Sequence, residues 1–503
     1  MSYREVSLGI LLVFSLSSLY LHCTALHFIG SDGRAQANKP LHSLSMADDF
    51  YSYKKAKEDW VSNLKGTSME EVLMTSLVFP ASYLIHRTLS AALERAKFRL
   101  SSLSQYLLDY LFFCLIPLVC FCYPVILPGY LLVSVVFSSV LGFTAGAWKF
   151  FSTESLVFIS QSRKPYMDAM RSALIILTAV AILAVDFVVF PRRFAKTESF
   201  GISLMDVGVG LFVAIAGMSS PLSRSHIAGY SRRSSIIQGM SPLLILWGVR
   251  LVSVKASSYQ EHVSEYGVHW NFFLTLALLQ GLSSLLLTLR LPTFGLAILA
   301  IAWLGWYQSM LTVWHWQEWV VGSVGRETLF TANREGIFSL SGFAVLYLLA
   351  VLLIRFVNRR GSETAAVEHR KRLLVLWIFA LLLCIGVILV CNTESENWLS
   401  VSRRLANSPY VLYTLALFAL QLVCFFTIDV TVLPTVSPLL QAVNFNGLAA
   451  FLLANLLTGL VNFSIQTLYV APFPAFLILA AYLAALSAIL QWCYYRKVSL
   501  KWW

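Results

Sequence analysis

The chain has 503 residues, 58% of them hydrophobic and 12% charged, with 37 Lys and Arg against 25 Asp and Glu, for a net charge of +12. That is far more apolar sequence than one soluble core can bury, so a soluble globular protein is excluded. The positive balance does not imply a nucleic-acid partner, because the basic residues collect at the ends of apolar runs, where membrane topology accounts for them.

Residues 1–45 stand apart. Arg4 precedes an apolar run from Val6 to about Ile29 and a polar linker, SDGRAQANKP, so the segment reads as a signal peptide, a signal anchor or an extension ahead of a start at Met46, and as dispensable for function. Residues 46–68 form a polar, amphipathic segment with Lys54, Lys55 and Lys57 before Trp60. A multi-span domain follows over 69–495, and 496–503 form a short basic tail. Thirteen candidate spans fall at 69–88, 105–123, 126–146, 172–190, 203–219, 241–256, 269–289, 293–311, 337–357, 373–391, 409–428, 443–462 and 470–493. The runs have helix length, about 17 to 25 residues, and lack the alternation of a β-barrel. The expected fold class is therefore an all-α polytopic membrane protein with about 13 transmembrane helices. Threading the spans alternately puts 21 Lys and Arg in one set of loops, tail included, and about 13 in the other, which places the C-terminus in the cytosol. The eight cysteines lie in or beside apolar runs without paired spacing and read as small core residues, not as metal or redox sites. No repeat of fixed period and no inverted pair of Gly/Pro-broken helices is visible.

The first polar constellation is LAVDFVVFPRRFAKTESFGISLMDVGVG, Leu183 to Gly210. Asp186 lies inside an otherwise apolar span, where a carboxylate costs about 2.5 to 3.5 kcal/mol on insertion scales and marks a functional candidate. If that helix ends near Phe190, the carboxylate lies only about 6 Å below the interface. Arg192, Arg193 and Lys196 follow Pro191, and a turn there would fold Lys196 back toward Asp186. Such a pair suits proton acceptance from an alcohol beside stabilisation of negative charge; a structural ion pair with snorkelling arginines is the alternative. In EYGVHWNFF, Glu265 to Phe273, His269 and Asn271 sit at the mouth of a helix, as an interfacial belt or in a ligand or base role. In TANREGIFSL, Asn333 suits a helix cap and Glu335 a first turn, whereas Arg334 has no capping purpose and suits a phosphate. Asn444, Asn446, Asn455 and Asn462 form a row of amides suited to helix–helix hydrogen bonds or to substrate contact. Arg163 and Lys164, with Arg192 and Arg193, are further candidates for phosphates. There is no Walker loop, HExxH or dinucleotide fingerprint, and the single H-x4-D spacing, His27 to Asp32, falls in the dispensable extension.

With these runs in view, the chain resembles the GPI-anchor inositol acyltransferases of the endoplasmic reticulum, which acylate glucosaminyl-phosphatidylinositol. The likeness begins at VSNLKGTSMEEV and continues through SRKPYMDAMRSALIILTAVAILAVDFVVFPRRFAKTE, EYGVHWNFF, TANREGIFSLSGF and FNGLAAFLLANLLTGLVN, in order over about residues 50–495. The first 45 residues depart from it. The resemblance implies thirteen spans and transfer of a long acyl chain, usually palmitoyl, from acyl-CoA as co-substrate, with no bound cofactor. It also implies a catalytic pair at Asp186 and Lys196, either of which would be the base. A polytopic lipid transporter and a non-catalytic membrane subunit are the rival readings; a transporter should carry its ligands near the midplane, whereas these clusters lie at span ends.

Overall fold

A computed structural model describes residues 53, 55–57, 59, 60, 62–150, 152, 164–224, 232–257, 265–322, 325–358, 365–391 and 400–501. The extension 1–45 and the candidate Arg163 lie outside the described residues. The described chain is an α-helical bundle, with two isolated β-bridges as its only extended pairing.

In chain order the helices are α1 Met69–Ser76, α2 Val78–Arg95, α3 Ser102–Cys122, α4 Leu127–Thr144, α5 Pro165–Ala184, α6 Leu204–Ser219, α7 Arg232–Ser257, α8 Phe272–Leu289, α9 Thr293–Thr312, α10 Trp316–Val321, α11 Arg334–Val357, α12 Ala365–Val390, α13 Ser408–Thr431, α14 Pro438–Phe445, α15 Gly447–Ser464 and α16 Pro472–Tyr495. Among the described residues ten helices are long and apolar enough to cross a membrane. The other three expected spans have a different form. Span 203–219 is the shorter helix α6, and span 241–256 lies in α7, whose apolar stretch is confined to Gly239–Val252. Span 69–88 is broken at Leu77 between α1 and α2. Length and composition alone thus qualify ten of the described helices as spans and leave the count of thirteen unconfirmed.

Helix α13 is buried on nearly every face and forms the axis of the bundle, with α5, α11 and α12 packed around it. Outer helices show apolar residues outward, as Leu374, Leu382 and Leu389 do on α12, which is what lipid requires. Some helices approach closely because a side chain is missing. A Cβ on Gly217 of α6 would lie 2.6 Å from the Tyr347 carbonyl oxygen of α11.

The bundle has two polar ends. At the tail end, Lys149 N–H donates to the Thr431 carbonyl at 2.8 Å and Leu433 N–H to that of Ala147 at 3.0 Å. Buried Arg87 lies 3.4 Å from Asp429 and donates to the Thr435 carbonyl at 2.7 Å, while buried His86 lies 2.7 Å from Asp109. These two span carboxylates carry no sequence mark to distinguish them from Asp186, yet each is enclosed with a basic partner. The head end collects residues 53, 55–57, 59, 60, 62–68, 185–203, 265–271, 316–322, 325–334, 400–407 and 465–470, and its loops are knit by Thr67 N–H donating to the Ile202 carbonyl at 2.8 Å and Gly201 N–H to that of Val401 at 2.9 Å.

The α6–α11 crossing is testable. Gly217→Ala should destabilise the protein by about 1–3 kcal/mol through overpacking, whereas Gly459→Ala, with open space at its Cβ, should be neutral or slightly stabilising; melting curves of the detergent-solubilised variants read the difference.

Candidate functional site

Helix α5 ends at Ala184, six residues before the expected end of its span, and Asp186 lies just beyond it, in turns closed by Asp186 N–H to Leu183 and Phe187 N–H to Ala184 carbonyls. The stretch from Val185 to Val189 is β-branched and aromatic and runs into Pro191, so helix propensity is low where the helix stops. Phe187, Phe190 and Phe194 turn inward and are buried. Asp186 is left 25% exposed, at the surface of the head end and not within the helix.

Its partners come from distant segments. Asn462 of α15 donates from Nδ2 to Asp186 Oδ2 at 2.7 Å. Lys57 Nζ lies 3.5 Å from Asp186 Oδ1 and donates to Asn462 Oδ1 at 3.0 Å. Thr467 donates to the same Asn462 oxygen at 3.2 Å. Helical arithmetic explains why Asp186 and Asn462 meet. The Tyr482 hydroxyl of α16 reaches the carbonyls of Ala179 on α5 and Ala454 on α15, each at 3.2 Å. From there α5 and α15 both run toward the head end, and seven or eight residues correspond to about 10 to 12 Å of helical rise. Lys57 is brought over the pair by the chain from Tyr53 to Trp60: Tyr53 packs edge-on against Tyr469 with ring centroids 5.4 Å apart, and the Arg192 guanidinium lies 4.8 Å over the Trp60 ring.

Lys196 does not fold back onto Asp186. Its ammonium pairs with Glu265 at 3.0 and 3.2 Å. Arg403 joins this pair to a second carboxylate, lying 3.8 Å from Glu265 and donating to Asp206 at 2.7 Å. Asp206 accepts from the Thr197 N–H, the Thr197 hydroxyl and the Ser203 hydroxyl as well, so the residue after Lys196 is anchored and the lysine points to Glu265. Burial alone would push the Glu265 carboxyl up, but Lys196 and then Arg403 outweigh it and bring it down to about 2.

The other candidates divide clearly. Arg193 grips Glu71 with two nitrogens, at 2.9 and 2.8 Å, and Arg192 donates to the Ser62 carbonyl at 3.2 Å. Arg334, expected to be free for a phosphate, is buried and spends its guanidinium on the carbonyls of Val320 at 3.0 Å and Gly322 at 2.6 Å, because the α10 turn closes over it. Asn333 occupies the position before α11 without a side-chain cap; its amide accepts from His269 N–H and donates to the Leu329 carbonyl, both at 2.8 Å. Glu335, expected as a first-turn residue, is buried and bridges Arg326 at 2.6 Å to Arg404 at 2.8 Å. His269 is a loop brace, its carbonyl accepting from Trp247 at 2.8 Å, and Asn271 caps α8 by accepting from Leu274 N–H at 3.2 Å.

The amide row is not one site. Asn455 is exposed and bonds its own helix at the Phe451 carbonyl, 2.8 Å, so it joins no other helix. Asn444 and Asn446 lie at the tail end, where Asn446 holds Val498 and Leu500 at 3.1 and 2.9 Å. Lys164 precedes α5 at the tail end, about 30 Å of helix away from Asp186. Only Asn462 of the row belongs with Asp186. Sequence reading passed over Lys57 and Glu265 as partners; both stood in runs already singled out, but nothing in their spacing indicates which groups they meet 129 and 69 residues away.

Fold and site define a class: a polytopic helical membrane protein with a carboxylate, an amide and a lysine gathered at one polar end. Residues 53–493 match the GWT1 family, and the chain belongs to it; this is the GPI inositol acyltransferase family that the sequence resembles. The chain is similar to the GPI-anchored wall transfer protein 1 of Yarrowia lipolytica, 38% identical over 361 residues that cover 67% of this chain and 74% of that protein. The protein of the same description from Gibberella zeae is 33% identical over 88% of this chain and 97% of its own length, and that from Candida glabrata 33% over 90% and 99%.

The Lys196–Glu265 pair carries a pH signature. A carboxylate lowered in the folded state adds stability that is complete above its ordinary pKa of about 4.3 and is lost as pH falls toward 2. Glu265→Gln should flatten the melting temperature over that window relative to wild type, measured on solubilised protein from pH 6 down to the lowest pH at which it stays monodisperse.

Proposed function

We propose that the protein is the acyltransferase of GPI-anchor biosynthesis that moves a long acyl chain such as palmitoyl from acyl-CoA to an inositol hydroxyl of glucosaminyl-phosphatidylinositol. Family membership supports the pathway. The observation that carries the chemistry is Asp186: a carboxylate at the head end, partly open, held by an amide and beside the mouth of an apolar bundle. Such a group is suited to act as a general base toward a lipid-borne alcohol.

In this reading Asp186 takes the hydroxyl proton as the inositol oxygen attacks the thioester carbon. The C–S bond of the tetrahedral intermediate breaks, and the proton passes from Asp186 to the departing thiolate, leaving inositol ester and free CoA thiol. A thioester is already activated, so no nucleophilic serine or cysteine is required. Lys196, held outward by Glu265, supplies positive charge at the rim for the oxyanion or for a substrate phosphate. Arg192 is the exposed guanidinium nearest in sequence to take a phosphate, and the apolar helices take the acyl chain. We further place the protein in the endoplasmic reticulum membrane with the basic tail end in the cytosol and the head end in the lumen, as the charge asymmetry between loop sets indicates.

Purified protein in nanodiscs, supplied with palmitoyl-CoA and glucosaminyl-phosphatidylinositol, should yield inositol-acylated lipid detectable by mass spectrometry. Asp186→Asn should lower turnover at least about 100-fold, within the span of general-base losses, and Lys196→Ala should lower it strongly too, both with unchanged expression. Absence of product from the wild type, or near-normal turnover by Asp186→Asn, would reject the assignment.

A further inference from the structure

The lysine in contact with Asp186 is Lys57, not Lys196. It comes from the segment ahead of the first helix, and the geometry around it is specific. The Asn462 amide is used at both ends: its Nδ2 donates to Asp186 Oδ2 at 2.7 Å and its Oδ1 accepts from Lys57 at 3.0 Å. The amide therefore fixes the carboxylate and the ammonium relative to each other. Thr467 donates to the same amide oxygen at 3.2 Å, which sets the amide orientation, since that oxygen faces two donors. The Tyr53 hydroxyl lies 3.3 Å from Thr467 Oγ1, and Lys57 Nζ lies 5.7 Å over the Tyr53 ring. Tyr53, Lys57, Asp186, Asn462 and Thr467 thus form one connected network drawn from three parts of the chain.

The two oxygens of Asp186 are held unequally. Oδ2 is engaged by a short bond, whereas among the described residues Oδ1 meets Lys57 alone, at 3.5 Å, and a carboxylate oxygen has lone pairs for more than one donor. Oδ1 is therefore the oxygen open to a substrate hydroxyl. At 3.5 Å the Lys57 cation leaves Oδ1 lone-pair capacity for a second donor and favours the negative carboxylate.

We propose that Lys57 and Asn462 are positioning residues for Asp186 in acyl transfer, holding its Oδ1 toward the acceptor hydroxyl. The proposal rests on the acyl-transfer reading of Asp186. In the step itself, the acceptor O–H proton moves to Asp186 Oδ1 as the O–C bond forms, Asn462 keeps Oδ2 fixed, and Lys57 keeps its own proton throughout. When the C–S bond breaks, the Oδ1 proton goes to the CoA thiolate and Asp186 regains its charge beside Lys57. Neither positioning residue is consumed or changed.

Lys57→Met and Asn462→Ala should each lower kcat by about 10- to 100-fold, the loss expected when a reacting group is misplaced, with KM for both substrates within about twofold and the melting temperature unchanged. Because the two residues act as a unit, the double variant should be no slower than the slower single variant. Lys57→Arg, which keeps the cation, should recover most of the loss. The nanodisc assay described above, run in parallel on Asp186→Asn, separates the possible failures. An inactive Asp186→Asn beside a Lys57→Met enzyme with normal kcat overturns the positioning role. An active Asp186→Asn overturns the acyl-transfer reading of Asp186 beneath it. If Lys57→Met also melts lower, Asn462→Ala with Lys57→Arg decides: loss in the first and recovery in the second support the unit, while normal kcat in Asn462→Ala sinks it.

Discussion

The head end of the bundle depends on one buried guanidinium. Arg403 lies between Asp206 and Glu265 and, through them, ties the loop after α5, the start of α6, the approach to α8 and the segment before α13. Burial works against its charge, but Glu265 and Asp206 outweigh this and hold it protonated. Taking one partner from such a cluster leaves an uncompensated charge, which costs more than the intact cluster contributes. The loops that carry Lys196 and Glu265 therefore have little freedom, and the direction of Lys196 is a consequence of Asp206 and Arg403 rather than of its own position after Pro191.

The same comparison separates braces from the candidate site. Among the described residues, Asp109, Asp429, Asp206 and Glu335 are fully buried and each meets a basic side chain. They are placed to join helices and loops. Asp186 differs from these four in being partly exposed; its cation stands off at 3.5 Å beside a short bond from an uncharged amide, much as Arg87 stands 3.4 Å from Asp429 beside the Tyr83 hydroxyl. A carboxylate needed only for stability would be better served by enclosure with its partner, as His86 encloses Asp109. One left open at the edge of an apolar bundle retains the capacity to accept a proton from something that arrives there.

The composition made the helical membrane fold legible, and apolar runs located most of the long helices within a few residues. Asp186 was legible for the same reason, because a charge in an apolar run stands out. What could not be read was the neighbourhood of each polar group. The end of α5 is decided by low propensity after Ala184 together with inward packing of Phe187 and Phe190, and only the first of these is local. Lys196 meets Glu265 and Lys57 meets Asp186 across separations that no periodicity encodes. Arg334 looked free because its acceptors are backbone carbonyls, which leave no trace in a side-chain pattern. The amides illustrate the limit well: four asparagines in one stretch became a tail clamp, a self-bonded surface residue, a residue of a short tail-end helix and a partner of Asp186; the break before α15 sets the first and third apart, and the phase of α15 against α5 separates Asn462 from Asn455.

That phase has a physical consequence for how the site is made. The Tyr482 hydroxyl reaches one carbonyl on α5 and one on α15, two turns below Asp186 and Asn462, so the carboxylate–amide contact at the head end is set by helix packing inside the bundle. Lys57 is set differently, by aromatic and polar contacts of the N-terminal segment on the surface. The carboxylate and amide thus belong to the rigid part of the protein, while the ammonium is delivered by a segment that lies over it. In the proposed acyl transfer both donor and glycolipid acceptor are large and have to reach Asp186 along the edge of the bundle. On that proposal the carboxylate and amide, carried at the ends of packed helices, keep the geometry of proton transfer fixed, while the counter-ion lies on an overlying segment at the edge that receives the substrates.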